Sequence, residues 1–270
     1  MKRLLTIELQ KIWKNKASRV LTFSYFILLT FIALIASIKF DIGPIHIRIA
    51  DQGIFNFPFI WHFNTYIATW LKMFFAIVIV SMMANEYSYG TLKQNLIDGM
   101  SKKEFIISKF LTVLLFSIIS TVFIFVTTLI LGYCFSSYTE IGIVFSELDY
   151  VVAYFVNLLG FFSFCLFLGI LVKRSAFALG FLLVWWFMEV ILIYMIAIPT
   201  FMVKFLPLEA LSNLIKEPFT RLTIAKTIGT QMGIENTKDY SVHWFGILIV
   251  LAWTVIFMLL SYNLLKKRDL

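Results

Sequence analysis

The sequence predicts an all-α polytopic membrane protein with six spans, one membrane domain over residues 1–270. Three observations lead there. Of 270 residues, 61% are hydrophobic and 14% charged, and the mean hydropathy is +0.91, outside the range of soluble globular chains. Several apolar runs exceed the roughly 18 residues that mark a spanning helix. The basic residues gather in alternate inter-span segments, as the positive-inside bias requires. The length suits a membrane domain with small loops and no separate catalytic domain.

Residues 2–14 form an amphipathic helix. Leu5, Leu9, Ile12 and Trp13 fall on one face, and Arg3, Gln10, Lys11 and Lys14 on the other. A basic helix with a Trp on its apolar side reads as lying in the membrane interface. The start does not read as a cleavable signal peptide, because the charged stretch is too long and no small-residue cleavage site follows. Span one covers about 20–38. Gly43, Pro44 and Gly53 make 39–59 a loop, with a short strand at Ile45 to Ile49. Span two runs from near Asn64 to Ala84 with Lys72 inside it. Span three covers 106–132. A loop with Glu140, Glu147 and Asp149 leads to span four at 150–172. Lys173, Arg174 and Ser175 form a tight turn before span five at 176–198, which contains Glu189 and closes at Pro199. Leu208, Leu211, Leu214 and Ile215 suggest a short amphipathic helix within 200–241, stopped by Pro218. Span six covers 242–264.

Between spans two and three the chain is polar and dense in helix punctuation. Thr91 and Gln94 read as a capping box, as do Ser101 and Glu104. Leu92 and Leu96 share one helical face, and Gly99 stands where a left-handed cap would end the helix. The spacing predicts a short helix over 91–98. In this stretch Glu86, Tyr87, Gly90, Thr91, Leu92, Leu96, Gly99, Ser101, Lys102, Phe105 and Lys109 resemble the signature of type-2 ATP-binding-cassette (ABC) permeases. Lys102 departs from the Arg frequent in that family, and a lysine makes no bidentate fork. The resemblance implies the permease subunit of an exporter, with a second permease chain, identical or not, and cytoplasmic ATPase subunits. It also implies that the short helix and the amphipathic helix couple ATP hydrolysis to transport, through Glu86, Tyr87, Gly90, Thr91, Leu92, Leu96, Gly99, Ser101 and Lys102.

Charge sets the orientation. With six spans both termini share a side, and that side carries fifteen Lys and Arg against seven opposite. The termini and the 85–109 stretch are therefore expected in the cytoplasm of a cell with the protein in its cytoplasmic membrane. The net charge of +8 reads as this asymmetry facing membrane lipid, and nucleic acid is not an expected partner.

The chemistry is sparse. None of the twelve glycines precedes a lysine, so no P-loop is present and ATP hydrolysis is expected in another chain. His46, His62 and His243 lack metal-ligand spacing, no Ser or Cys is placed as an activated nucleophile, and no catalytic residue, metal or cofactor is expected. Cys134 and Cys165 read as packing residues, and His62 as an interfacial histidine. A polytopic membrane enzyme or a structural membrane protein is the alternative class; an enzyme would need several polar residues at membrane depth, where Lys72 and Glu189 stand alone. Phe57, Phe59, Trp61, Phe63 and Tyr66 read as an aromatic belt, with a substrate vestibule as the alternative. Of Trp185 and Trp186, at least one should face protein. Lys72 and Glu189 lie twelve residues from the same end of their spans. Equal depth and opposite sign predict an ion pair, within one chain or between two. The alternative is a snorkelling Lys72 with Glu189 protonated or bonded to a hydroxyl.

Overall fold

The computed structural model describes residues 2–37, 39–42, 45–48, 53–222 and 238–268. Within these, side chains are described except at residues 2 and 32–48. The elements are α1 (Lys2–Lys14), α2 (Lys16–Ser37), β1 (Lys39–Ile42), β2 (Ile45–Arg48), α3 (Phe59–Ser88), α4 (Thr91–Ile97), α5 (Lys102–Phe135), α6 (Ile141–Val144), α7 (Asp149–Val172), α8 (Ser175–Tyr194), α9 (Thr200–Val203), α10 (Pro207–Ser212) and α11 (Trp244–Lys267), with a 3₁₀ turn at Phe219–Arg221. The protein is a helical polytopic membrane protein. Among the described residues five helices are long and apolar enough to cross a bilayer: α3, α5, α7 with its leading turn, α8 and α11. The first expected span falls in the 22-residue α2, whose last side chains lie outside the described residues. The strand expected near Ile45 is β2, paired antiparallel with β1 in a small hairpin.

Helix α7 is the centre of the bundle and packs against α3, α5, α8, α10 and α11. Its sequence explains this. Apart from Asp149 at its start it carries no charge, and a helix apolar all round is a core helix. Gly160 permits the approach of α10 and α11: a Cβ there would lie 2.6 Å from Val250 Cγ1 and 3.1 Å from Leu211 Cδ2. By contrast α8 leaves Phe177, Val184, Trp186 and Phe187 exposed, as a lipid-facing helix does.

The 30 and 34 residues of α3 and α5 give lengths of about 45 and 51 Å. Both outrun a hydrocarbon core of about 30 Å, and α4 joins the end of α3 to the start of α5. The C-terminal end of α11 meets the same end of the bundle: Lys102 Nζ donates to the Lys266 and Arg268 carbonyls at 3.2 and 2.9 Å. This is the basic end.

The expected aromatic belt is partly core. Trp61 is fully buried, stacks on Phe125 and donates Nε1–H to the Val144 carbonyl at 2.6 Å. Phe57 is buried as well. The start of α3 brings these rings under the α5–α6 connection, where a buried indole finds its hydrogen-bond acceptor. Phe59, Phe63 and Tyr66 are half-buried. Trp185 faces protein and Trp186 is half exposed. Cys165 is buried and Cys134 exposed, neither in a disulfide.

Candidate functional site: a buried charge cluster beneath a capped helix

Helix α4 is short and held at both ends. Gly90 (φ 67) turns the chain from α3 into it. At its far end Gly99 has φ 96, the Gly99 amide donates to the Leu96 carbonyl at 3.2 Å and the Met100 amide to Asn95 at 3.0 Å. This pair of bonds is a Schellman cap, closed by a glycine because a Cβ disfavours the left-handed conformation. Ser101 and Glu104 then form the expected capping box at the start of α5. The other expected box is absent. Thr91 is the first residue of α4, not its cap, and its hydroxyl donates to Glu86 Oε2 at 2.5 Å. With Gly90 in the cap position, the Thr91 hydroxyl is free to donate a charge-assisted bond to a carboxylate, and the turn at Gly90 sets Glu86 within reach.

Leu92 is buried and Leu96 half-buried against the bundle, while Lys93, Gln94 and Ile97 face outward. Ile97 is 75% exposed.

Beneath α4 lies a cluster of four charges. Lys109 of α5 is fully buried and its ammonium touches Glu8 Oε2 at 2.6 Å and Glu86 Oε1 at 2.5 Å. Lys11 of α1 reaches Glu86 Oε1 at 2.8 Å and Glu8 Oε1 at 3.7 Å. Glu8 and Glu86 are both buried. Two ammoniums against two carboxylates leave the cluster neutral, which is what allows four charges to be removed from water. Through them α1, α3, α4 and α5 are joined at one point. Displacing α4 therefore strains Thr91–Glu86, and through Glu86 the other three helices.

Of the residues singled out from sequence, Glu86, Thr91, Leu92, Leu96, Gly90, Gly99 and Ser101 build this unit. Tyr87 lies on its flank, its hydroxyl accepting from Arg268 at 3.2 Å. Lys102 serves the C-terminal end, as described above. Glu8 was not singled out. Its signal is present in retrospect: it sits four residues before Ile12 and three after Leu5, an acid inside the apolar stripe of α1.

Lys72 and Glu189 do not pair within the chain, the first of the two arrangements expected. The chain after α8 folds back instead of continuing outward. Ala197 takes φ 53, Pro199 follows, and α10 returns to the depth of Glu189. Glu189 accepts from the Leu208 and Glu209 amides at 3.1 and 2.9 Å and from Trp185 Nε1 at 2.8 Å. At the other end of α10, the Leu211 carbonyl accepts from Asn157 Nδ2 at 2.6 Å, and Asn157 Oδ1 accepts from Lys72 at 2.9 Å. Lys72 also lies over the Phe161 ring at 4.4 Å. The two charges thus bracket a six-residue helix. Backbone groups freed at membrane depth must be satisfied inside the protein, and these side chains satisfy them at both ends of α10.

At the far end of the bundle His62 stacks on Tyr150 with ring centroids 4.2 Å apart. It bonds the Lys216 carbonyl through Nε2 at 2.8 Å and Arg221 through Nδ1 at 3.0 Å. Arg221 pairs with Glu147 at 3.1 Å. His62 is therefore buried in a loop-anchoring cluster; its neighbours lie up to 159 positions away in sequence, so nothing local announces them. Among the described residues no group of His, Cys, Asp and Glu is arranged to hold a metal ion.

A family described as protein of unknown function (DUF2705) matches residues 26–270. The chain belongs to that family. The match takes in α3 to α11, and so Glu86, α4, Lys109, Lys72 and Glu189, while α1 with Glu8 and Lys11 lies before it. A 63-residue stretch is also 33% identical to the uncharacterized protein YhcI of Bacillus subtilis (strain 168), over 23% of this chain. The matched stretch spans 20% of that relative's length.

Proposed function

We propose that the protein is the membrane-spanning permease subunit of an ATP-driven ABC exporter, with six spans, both termini in the cytoplasm and its place in the cytoplasmic membrane. The observation that carries this reading is the clamped helix α4, its outer face open and its base tied by Glu86 to α1, α3 and α5. Such a unit receives force from a partner and passes it to spanning helices, which is a two-state element biased by binding in another chain. The resemblance of residues 86–109 to the type-2 permease signature supports the same reading. The partner is a cytoplasmic ATPase subunit seated on Lys93, Gln94 and Ile97, and a second permease chain, identical or not, completes the transporter. The exposed face of α8 is available to that second chain or to lipid.

The test has two parts. The purified chain alone should release no phosphate from ATP above contaminant level. Co-expressed with a cognate cassette ATPase, it should form a complex whose ATPase rate responds to substitutions in α4. A complex that assembles but whose hydrolysis and transport are indifferent to Gly99→Leu and Thr91→Pro would remove α4 from the mechanism. Robust turnover by the chain alone would end the permease reading.

A further inference from the structure

A cleft of about 340 Å³ opens between the α1–α2 junction and the last turns of α3, within the roughly 300–1,000 Å³ range of ligand sites. Lys14, Asn15, Ser18, Asn85 and Tyr89 line it. Lys11 and Glu86 line it too, but their charges are spent on each other and on Lys109. Lys14 is exposed and has no carboxylate partner among the described residues. The Ser18 hydroxyl and the Asn85 and Tyr89 side chains likewise have no hydrogen-bond partner there, and Asn15 uses only its oxygen, which accepts from the Ser18 amide at 3.1 Å. One uncompensated ammonium and several open neutral donors thus converge on one cavity.

We infer that this cleft binds the phosphodiester headgroup of an anionic phospholipid in the leaflet at the basic end of the bundle. The charge fits: one free lysine meets one phosphodiester negative charge, and hydroxyl and amide groups complete its oxygen shell. The depth fits as well. The cleft lies where α2 begins and α3 leaves the core, and beside it Trp13, 55% exposed, stands edge-on to Phe23 with ring centroids 5.5 Å apart, an arrangement suited to the headgroup layer. Basic pockets between helices at this level are the usual way proteins hold anionic lipid. The face of α3 that carries Asn85 continues toward the core through Ser81, Ile77, Met73 and Trp70, at helical spacing. Met73 and Trp70 are 36% and 69% exposed, so the same face offers an apolar wall to the acyl chains. The inference does not depend on ATP-driven transport.

The experiment is native mass spectrometry of the full chain in mild detergent, with an equimolar mixture of phosphatidylglycerol and phosphatidylcholine of identical acyl chains. The wild type should retain phosphatidylglycerol in preference. Lys14→Gln should lower that preference about fivefold, the worth of one lysine near an anionic lipid. Asn85→Leu should lower it further, and Lys14→Arg should keep it. Thermal unfolding of each variant at the wild-type temperature checks that the fold is intact. Equal retention of the two lipids by the wild type, or an unchanged preference in Lys14→Gln together with Asn85→Leu, would overturn the inference. So would binding of soluble glycerol 1-phosphate as tight as that of the lipid, which would assign the cleft to a free phosphate ester. Loss of an ATPase partner in Lys14→Gln with the lipid preference intact would assign it to protein docking and would overturn the inference equally.

Discussion

Replacing Lys109 with Met isolates the contribution of the buried cluster. The substitution leaves an unbranched apolar side chain one atom shorter and removes the one ammonium that Glu8 and Glu86 share, at 2.6 and 2.5 Å. Glu86 retains Lys11 at 2.8 Å, but Glu8 is left with Lys11 at 3.7 Å and otherwise unmatched. Removing one partner of a buried pair costs about 3–5 kcal/mol; because Lys11 remains, the lower end, about 3 kcal/mol, is expected. For a domain of this size that corresponds to a fall of about 6–12 °C in unfolding temperature. Lys11→Met should cost about 1 kcal/mol or less, since its side chain is partly exposed and screened. The assay is loss of monodisperse protein in detergent on heating, read for both variants and for Glu8→Gln with Lys109→Met. Converting Glu8 to a neutral amide removes the unmatched charge, so the double variant should be more stable than Lys109→Met alone. A Lys109→Met protein as stable as the wild type, or a double variant with summed losses, would show that the cluster does not act as a charge-balanced unit.

Further expectations concern α4, α10 and the core. Gly99→Leu forces a side chain into φ 96 at a cost of about 1 kcal/mol or more; in a complex with an ATPase it should lower transport per ATP hydrolysed while insertion is unchanged, as read in proteoliposomes. The double exchange Lys72→Glu with Glu189→Lys should recover nothing relative to the single exchanges, because each charge serves a different end of α10 and the reversed pair would oppose the Leu208 and Glu209 amides; recovery in a double-mutant cycle would restore the direct pair. Asn157→Leu, which breaks both the Lys72 and the Leu211 bonds, should loosen α10, seen as faster modification of a cysteine placed at Ser212. Gly160→Ala sets a methyl 2.6 Å from Val250 Cγ1, and the overpacking should cost about 1–3 kcal/mol in the same heating assay.

Much of the scaffold is decided locally and was legible in the residues. The spans follow from apolar length, because the bilayer asks only for enough consecutive apolar residues with their backbone groups satisfied. The stop at Gly99 and the box at Ser101–Glu104 follow from chemistry that needs no distant partner. What the sequence left open was decided by residues far apart along the chain. Thr91 had a local capping role available, but with Gly90 in the cap position its hydroxyl donates to the Glu86 carboxylate instead. Glu8 and Lys109, 101 positions apart, become a buried pair only when α1 lies across α5. Rise per residue gives Lys72 and Glu189 equal depth, yet rise says nothing of azimuth or of a returning chain. The segment after Pro199 folds back and inserts α10 between them. The sequence by itself determined which segments are long and apolar enough to cross a membrane and where the short helix stops, since each is settled by the composition of a few adjacent turns. Only the tertiary structure decided which charges meet, because a buried charge accepts whichever counter-group the packing of helices brings within about 3 Å.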